Sequence, residues 1–257
     1  MIFQGFVFDV DGVLVDSPHE IAWGETLDKL MQSEWADVVP LSSWSPGAYT
    51  TDVYQQFVSG KARAEGAASL LQRFHIPDPD GCRTGRLCEL KQAMIAELIA
   101  AGRFRVFPDA ARFLIAVRQA GCRTAVASSS LNAGAMLSVV RPHFVLGGSP
   151  DGPTMIELFD VDVCGRAFKP GKPHPKIFQA AIAEFGLRPA DCVVVEDATS
   201  GVLAAKAAGA FCLGVARLGN DAALRECGAD WAVESLDSVA VEAVKPQGGP
   251  PSAELRV

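Results

Sequence analysis

Phe6-Val7-Phe8-Asp9-Val10-Asp11-Gly12-Val13-Leu14-Val15-Asp16-Ser17 is the stretch on which the fold turns. A short apolar run breaks off at a carboxylate, a second carboxylate follows two residues later, and Gly12 opens a turn. Continuous apolar runs of this length suit strands buried on both faces of a parallel sheet. Three more follow: Thr124-Ala125-Val126-Ala127, Cys192-Val193-Val194-Val195 and Ala210-Phe211-Cys212-Leu213-Gly214-Val215. Helical patterns lie between them at 110–120, 175–185 and 202–208, with Gly121, Gly186 and Gly209 placed to end them. This alternation predicts a doubly wound α/β domain with a Rossmann-like parallel sheet.

Between the first run and the rest, the rhythm changes. Residues 20–32, 52–58, 67–74 and 87–101 read as helices with few strand-like runs between them. The expected organisation is a core from 1–17 and 101–245, an inserted helical cap from 18–100, and a disordered tail from 246–257, rich in proline and glycine.

The 257 residues suit one large domain or a domain with a smaller insertion, and 49% are apolar, enough to bury a full core. A net charge of −7 argues against nucleic acid or an anionic membrane as the main partner. No apolar run reaches the roughly 20 residues of a membrane span, and the first residues lack the basic start of a signal peptide. Seven cysteines make an odd number without any C-x-x-C pair, so a reducing cytoplasm without structural disulfides is expected.

Open α/β sheets bind ligands outside the carboxyl ends of their strands, and four groups fall at or just past such ends. Asp9 and Asp11 can divide the work of nucleophile and proton carrier; a D-x-D alone is equally an acidic turn. Ser128-Ser129-Ser130 can bind a phosphoryl oxygen beside a following helix N-terminus, or serve as that helix's N-cap. Lys172, in Gly171-Lys172-Pro173-His174-Pro175, can screen carboxylates and draw on a transferring group, or be a solvated loop lysine. Lys169 nearby can be confused with it; Pro173 and the helix that follows favour Lys172. Glu196-Asp197 suits a hard divalent cation, or caps a helix.

Taken together, Asp9-x-Asp11-Gly12-x-Leu14-x-Asp16-Ser17, Ser128, Gly171-Lys172-Pro173-x-Pro175-x-Ile177-Phe178 and Glu196-Asp197 resemble the four motifs of the haloacid-dehalogenase-like superfamily. The spacing is similar to that of the helical-cap subfamily containing β-phosphoglucomutase and sugar-phosphate phosphatases. The resemblance spans nearly the whole chain. It implies that Asp9 forms an aspartyl-phosphate, that Asp11 exchanges protons, and that Ser128 and Lys172 hold the transferring group. It further implies Mg²⁺ on Asp9, Asp197 and the Asp11 carbonyl, with Glu196 in support. An acid/base aspartate at Asp11 favours P–O chemistry over dehalogenation or phosphonate cleavage.

In that subfamily a cap loop of the form G-x-x-R presents arginine to the distal end of the substrate. Gly60-Lys61-Ala62-Arg63 has that form, with Lys61 as a second cation and a solvated loop as the alternative. His19, four residues before Trp23, matches a histidine of the mutase's first cap helix and either touches substrate or packs near the hinge. Ser130 is a further phosphate-binding candidate. Two departures weaken the mutase reading. Leu131 stands where the mutase has lysine, and the segment 146–167 is longer, fit to cover the site or form an interaction surface.

The expectation is a Mg²⁺-dependent phosphatase of small phosphorylated metabolites such as sugar phosphates. A hexose-phosphate mutase is the enzymatic alternative, and a non-catalytic binding protein on the same fold the alternative of another class. Oligomeric state has no signature here.

Overall fold

The computed structural model describes residues 3–244, so the expected tail at 246–257 lies outside the described residues. The chain forms two compact units. One takes the residues up to Asp16 together with those from Arg105 onward; the other is Ser17–Phe104.

The first unit begins with β1 (Gly5–Phe8) and β2 (Val15–Asp16). The second contributes α1 (His19–Met31), α2 (Thr51–Phe57), α3 (Arg63–Arg73) and α4 (Cys82–Ala100). The first unit resumes with β3 (Arg105–Val106), α5 (Pro108–Gln119), β4 (Arg123–Val126), α6 (Ala133–Val139) and α7 (Pro142–Val145). It continues through β5 (Val161–Asp162), α8 (Lys176–Phe185), β6 (Cys192–Glu196) and α9 (Thr199–Ala208). It closes with β7 (Phe211–Val215), α10 (Asp221–Glu226) and β8 (Trp231–Val233).

Six strands form one parallel sheet in the order β5-β4-β1-β6-β7-β8. Side chains alternate across it, as strand geometry requires. From β1, Phe6 and Phe8 meet Phe113 of α5, with ring centroids 5.9 and 6.1 Å apart. Val7 instead joins Ile177, Phe178 and Ile182 of α8 and Val202 and Ala205 of α9 in one apolar cluster. Helices therefore cover both faces, which is why the strands read as unbroken apolar runs. Opposite β1's last residue, Phe8, stand Val126 and Val195, so the chain leaves β1, β4 and β6 at neighbouring points.

Within the helical unit, α1 and α4 pack together, and Trp23, Leu27, Leu30, Trp35, Trp44, Leu70, Phe74 and Leu87 form its core. Three of the protein's four tryptophans are spent here.

The helices at 67–74 and 87–101 begin earlier than periodicity indicates, at Arg63 and Cys82. Their first turns are largely exposed or half-buried and carry no apolar stripe to read. Gly121, Gly186 and Gly209 follow α5, α8 and α9 with φ of 78°, 68° and 82°, the left-handed conformation that ends a helix. The long segment 146–167 is in part core structure: Met155, Leu158, Val161 and Val163 are buried, and β5 extends the sheet beside β4. All seven cysteines are free. No helix among the described residues is long and apolar enough to cross a membrane.

Candidate active site

Parallel register brings the carboxyl ends of β1 and β6 side by side, and the acidic residues follow from it. Asp9 leaves β1 with its N–H donating to Val195 O at 3.0 Å, and Glu196 ends β6 next to it. Lys172 Nζ lies between the two carboxylates, 2.6 Å from Asp9 Oδ1 and 2.5 Å from Glu196 Oε1. All three side chains are buried. Lys169 is exposed, and its carbonyl accepts from Lys176 Nζ at 2.6 Å.

Glu196 is held from both sides. Its Oε2 accepts from the N–H groups of Asp197 and Ala198 at 2.9 Å each, at the entry to α9. Gly201, in the first turn of that helix, makes the close approach possible, since a Cβ there would overlap the Glu196 carboxylate. Gly12 plays the same part on the other side. It has φ +80°, and a Cβ on it would overlap the carboxylate of Asp197. The sequence marks Gly12 as a turn residue but gives no sign that Gly201 is in contact with Glu196.

The turn after β1 is tightly tied. Val10 O accepts from the N–H groups of Leu14 and Val15 at 2.9 and 3.0 Å, and Gly12 N–H donates to Val15 O at 2.8 Å. Arg217, in the loop after β7, completes it: Nε donates to Gly12 O at 3.0 Å and Nη2 to Val13 O at 3.1 Å. Asn220 Nδ2, from the same loop, donates to Asp197 O at 3.2 Å. Neither Arg217 nor Asn220 is visible in the sequence as a site residue, because their partners are backbone carbonyls far away along the chain.

Ser128 is buried just past β4, and Ala127 N–H donates to Phe8 O at 2.9 Å. Of the two readings of this serine run, the helix N-cap does not hold. Ser128 Oγ accepts from Ser130 N at 3.0 Å and Ser130 Oγ from Asn132 N at 3.2 Å, so two hydroxyl turns follow one another. Helix α6 starts only at Ala133 with Asn132 at its N-cap, so no serine is the N-cap, although Ser130 O accepts from Ala133 N–H at 3.4 Å.

The remaining candidates belong to the helical unit. His19 is buried at the start of α1, its Nδ1 3.0 Å from Lys91 Nζ, which itself lies 5.1 Å from the centroid of the Trp23 ring. Lys61 Nζ donates to Ser69 Oγ at 3.1 Å. Arg63 is half-buried as the first residue of α3, after the φ +73° turn at Gly60.

Electrostatics follow from burial. Burial pushes the Asp9 carboxyl up to about 7; Lys172 pulls it down, while Glu196 and Asp11 raise it further. Burial, then Glu196 and Asp9, likewise hold Asp197 well above the carboxylate range. Lys172 is raised despite its burial, because Asp9 and Glu196 favour its charged form. One ammonium thus faces a group of crowded carboxylates, an arrangement that further positive charge relieves. Ligand oxygens of Asp9, Glu196 and Asp197 lie within 4.8 Å of one another. The donors are all oxygen, without nitrogen or sulfur, so the residues fit a hard divalent cation such as Mg²⁺.

Comparison with known proteins agrees with this geometry. The haloacid dehalogenase-like hydrolase family matches residues 3–209. The chain is 33% identical over 244 residues to the β-phosphoglucomutase of Mycobacterium bovis, covering 90% of this chain and 88% of that protein. It is 30% identical over 245 residues to hexitol phosphatase A of Escherichia coli, covering 93% and 94%. The crystal structure of an archaeal β-phosphoglucomutase from Pyrococcus superposes with a TM-score of 0.68 at 30% identity, over 94% of this chain and 96% of that one. With the parallel sheet, the carboxylate pairs at its strand ends and this match in hand, the chain belongs to the haloacid dehalogenase-like hydrolase family.

Proposed function

We propose that this protein is a Mg²⁺-dependent phosphatase of small phosphate monoesters, sugar phosphates above all, working through a phosphoryl group on Asp9. The observation that carries the reading is Lys172 bridging Asp9 and Glu196 beside Asp197, at the ends of β1 and β6. Asp9, Glu196 and Asp197 would hold the cation, which when bound offsets the negative charge of phosphate and carboxylates.

An Asp9 carboxylate oxygen attacks phosphorus. The bond from phosphorus to the ester oxygen breaks, and Asp11 gives its proton to the departing alcohol. Water then attacks the phosphoryl group, Asp11 takes the water's proton, and the Asp9–phosphorus bond breaks to release phosphate. Lys172 fixes Asp9 through Oδ1 and offsets charge in both steps. Ser128 holds a phosphoryl oxygen, with Ser130 beside it. Lys61, Arg63 and His19 serve recognition of the sugar portion.

A second reading is favoured by the relatives named β-phosphoglucomutase. In a mutase, a substrate hydroxyl in place of water takes the phosphoryl group from Asp9. A panel of sugar phosphates assayed for released phosphate, with EDTA and with added Mg²⁺, tests the proposal. Hydrolysis that EDTA abolishes and Mg²⁺ restores is expected. β-Glucose 1-phosphate converted to glucose 6-phosphate in the presence of a bisphosphate primer, with little phosphate released, would replace the phosphatase by the mutase. Full activity without metal would defeat both.

A further inference from the structure

The loop after β7 carries a group that the mechanism above leaves unused. Arg217 makes three charge-assisted hydrogen bonds. Two go to the carbonyls of Gly12 and Val13, and Nη1 donates to Asp109 Oδ2 at 3.0 Å. The guanidinium also lies 3.8 Å from the centroid of the Phe107 ring, so its plane has an aromatic support. Asp109 is buried in the first turn of α5, and its Oδ2 also accepts from Ser235 Oγ and Leu236 N, both at 2.9 Å. Burial alone would raise the Asp109 carboxyl, but Arg217, Leu236 and Ser235 hold it below the usual carboxylate value. The arginine is therefore anchored at one end to the body of the sheet unit and at the other to the turn that follows Asp9.

That turn has little freedom left. The peptide between Asp11 and Gly12 is oriented by the bond from Gly12 N–H to Val15 O. A trans peptide is planar, so the Asp11 carbonyl points opposite to that N–H. The next peptide, between Gly12 and Val13, is oriented by Arg217 Nε, and the one after it by Nη2. A Cβ on Gly12 would overlap the carboxylate of Asp197, so the turn lies close against that group. Arg217 thus holds the middle of the turn in place, and the turn presents Asp11 on one side and abuts Asp197 on the other.

The geometry points to Arg217, braced by Asp109, as a positioning residue that sets the Asp11–Gly12 turn against Asp197 and so shapes both the proton-exchange group and the cation site. This rests on the phosphatase reading of the same site. Without Arg217, two inward carbonyls lose their donors and the turn is free to shift. Shifts of about 1 Å are enough to degrade a preorganised site.

Arg217→Met keeps length and apolar bulk but cannot donate. Removing outer-shell support of a metal site costs about 10–100-fold in metal affinity or activity. A loss of that size is expected both in kcat and in Mg²⁺ affinity measured calorimetrically on substrate-free protein, with KM little changed. Arg217→Lys, able to reach one carbonyl, should recover part of both, and Asp109→Asn should shift both in the same direction by less. If Arg217→Met does not fold, the lysine and Asp109→Asn variants carry the test by the same two readouts. Folded variants with wild-type Mg²⁺ affinity and kcat would overturn the proposal, as would a fall in melting temperature alone. Wild-type protein that binds no Mg²⁺ would instead sink the reading on which it rests, and the two failures are distinct.

Discussion

The candidate site cations of the two units, Lys172 in one and Lys61 in the other, are held differently. In the sheet unit, the ionic groups of the site are locked to several partners each: buried Lys172 to Asp9 and Glu196, and part-buried Arg217 to buried Asp109 and two carbonyls. In the helical unit, Lys91 is buried against His19 and Trp23, but Lys61 is half-exposed with a hydroxyl partner, and the ion pairs of Arg86 with Glu34 and Glu89 lie at the surface. A buried, multiply bonded charge is costly to place and costly to disturb, whereas a surface pair is worth little. The first arrangement fits chemistry on a bond, where position decides the rate. The second fits recognition, where side chains adapt to what they meet.

Removing Lys172 tests the first half of that contrast most severely. Lys172→Ala should lower kcat by roughly two to three orders of magnitude, by analogy with the loss of one preorganised donor to developing charge. Lys169→Ala, three residues away but exposed, should behave as wild type. Steady-state kinetics on both variants decide it, and the reverse ranking would mean that the ammonium between Asp9 and Glu196 has no part in the reaction.

Glycines give a comparison free of charge effects. Gly201 of α9 and Gly85 of α4 both lie in the first turn of a helix, but a Cβ at 201 would overlap Glu196, while at 85 it would meet nothing within 4 Å. Gly201→Ala should destabilise by about 1–3 kcal/mol through overpacking and lower activity with it. Gly85→Ala should stabilise by about 0.5–1 kcal/mol through helix propensity alone. Thermal or urea unfolding of the pair measures both, and equal effects would mean that the Glu196 pocket is looser than its hydrogen bonds indicate.

Arg63→Ala probes the recognition role proposed for Arg63, where the expected effect is smaller and depends on substrate. With p-nitrophenyl phosphate, which has no distal polar group to grip, kcat/KM should change little. With a sugar phosphate it should fall about tenfold, the equivalent of about 1.4 kcal/mol of transition-state binding. An equal loss on both substrates would make Arg63 a structural residue of the α3 N-terminus, and no loss on either a solvated one.

The sheet unit was the more legible of the two, for a physical reason. Strands buried on both faces must be apolar throughout, so Phe6-Val7-Phe8 and Cys192-Val193-Val194-Val195 announce themselves, and the carboxylates stand out where those runs stop. The two-residue strand β5 and three-residue β8 are too short to leave a pattern. Hydrogen bonds to backbone leave none either: Arg217 meets carbonyls at Gly12 and Val13, about 200 residues earlier, and any residue supplies a carbonyl. The N-cap reading of the serine run fails because hydroxyls serve turns as readily as helix caps, and here successive turns delay α6.

The central claim is that Asp9 itself becomes phosphorylated, and rapid acid quench of the Mg²⁺-loaded protein with a ³²P-labelled sugar phosphate tests it directly. Label recovered on the peptide containing Asp9, acid-stable but released by hydroxylamine, and absent from Asp9→Asn, is the predicted result. Label on any other residue, or an Asp9→Asn protein that turns over at the wild-type rate, would contradict the account.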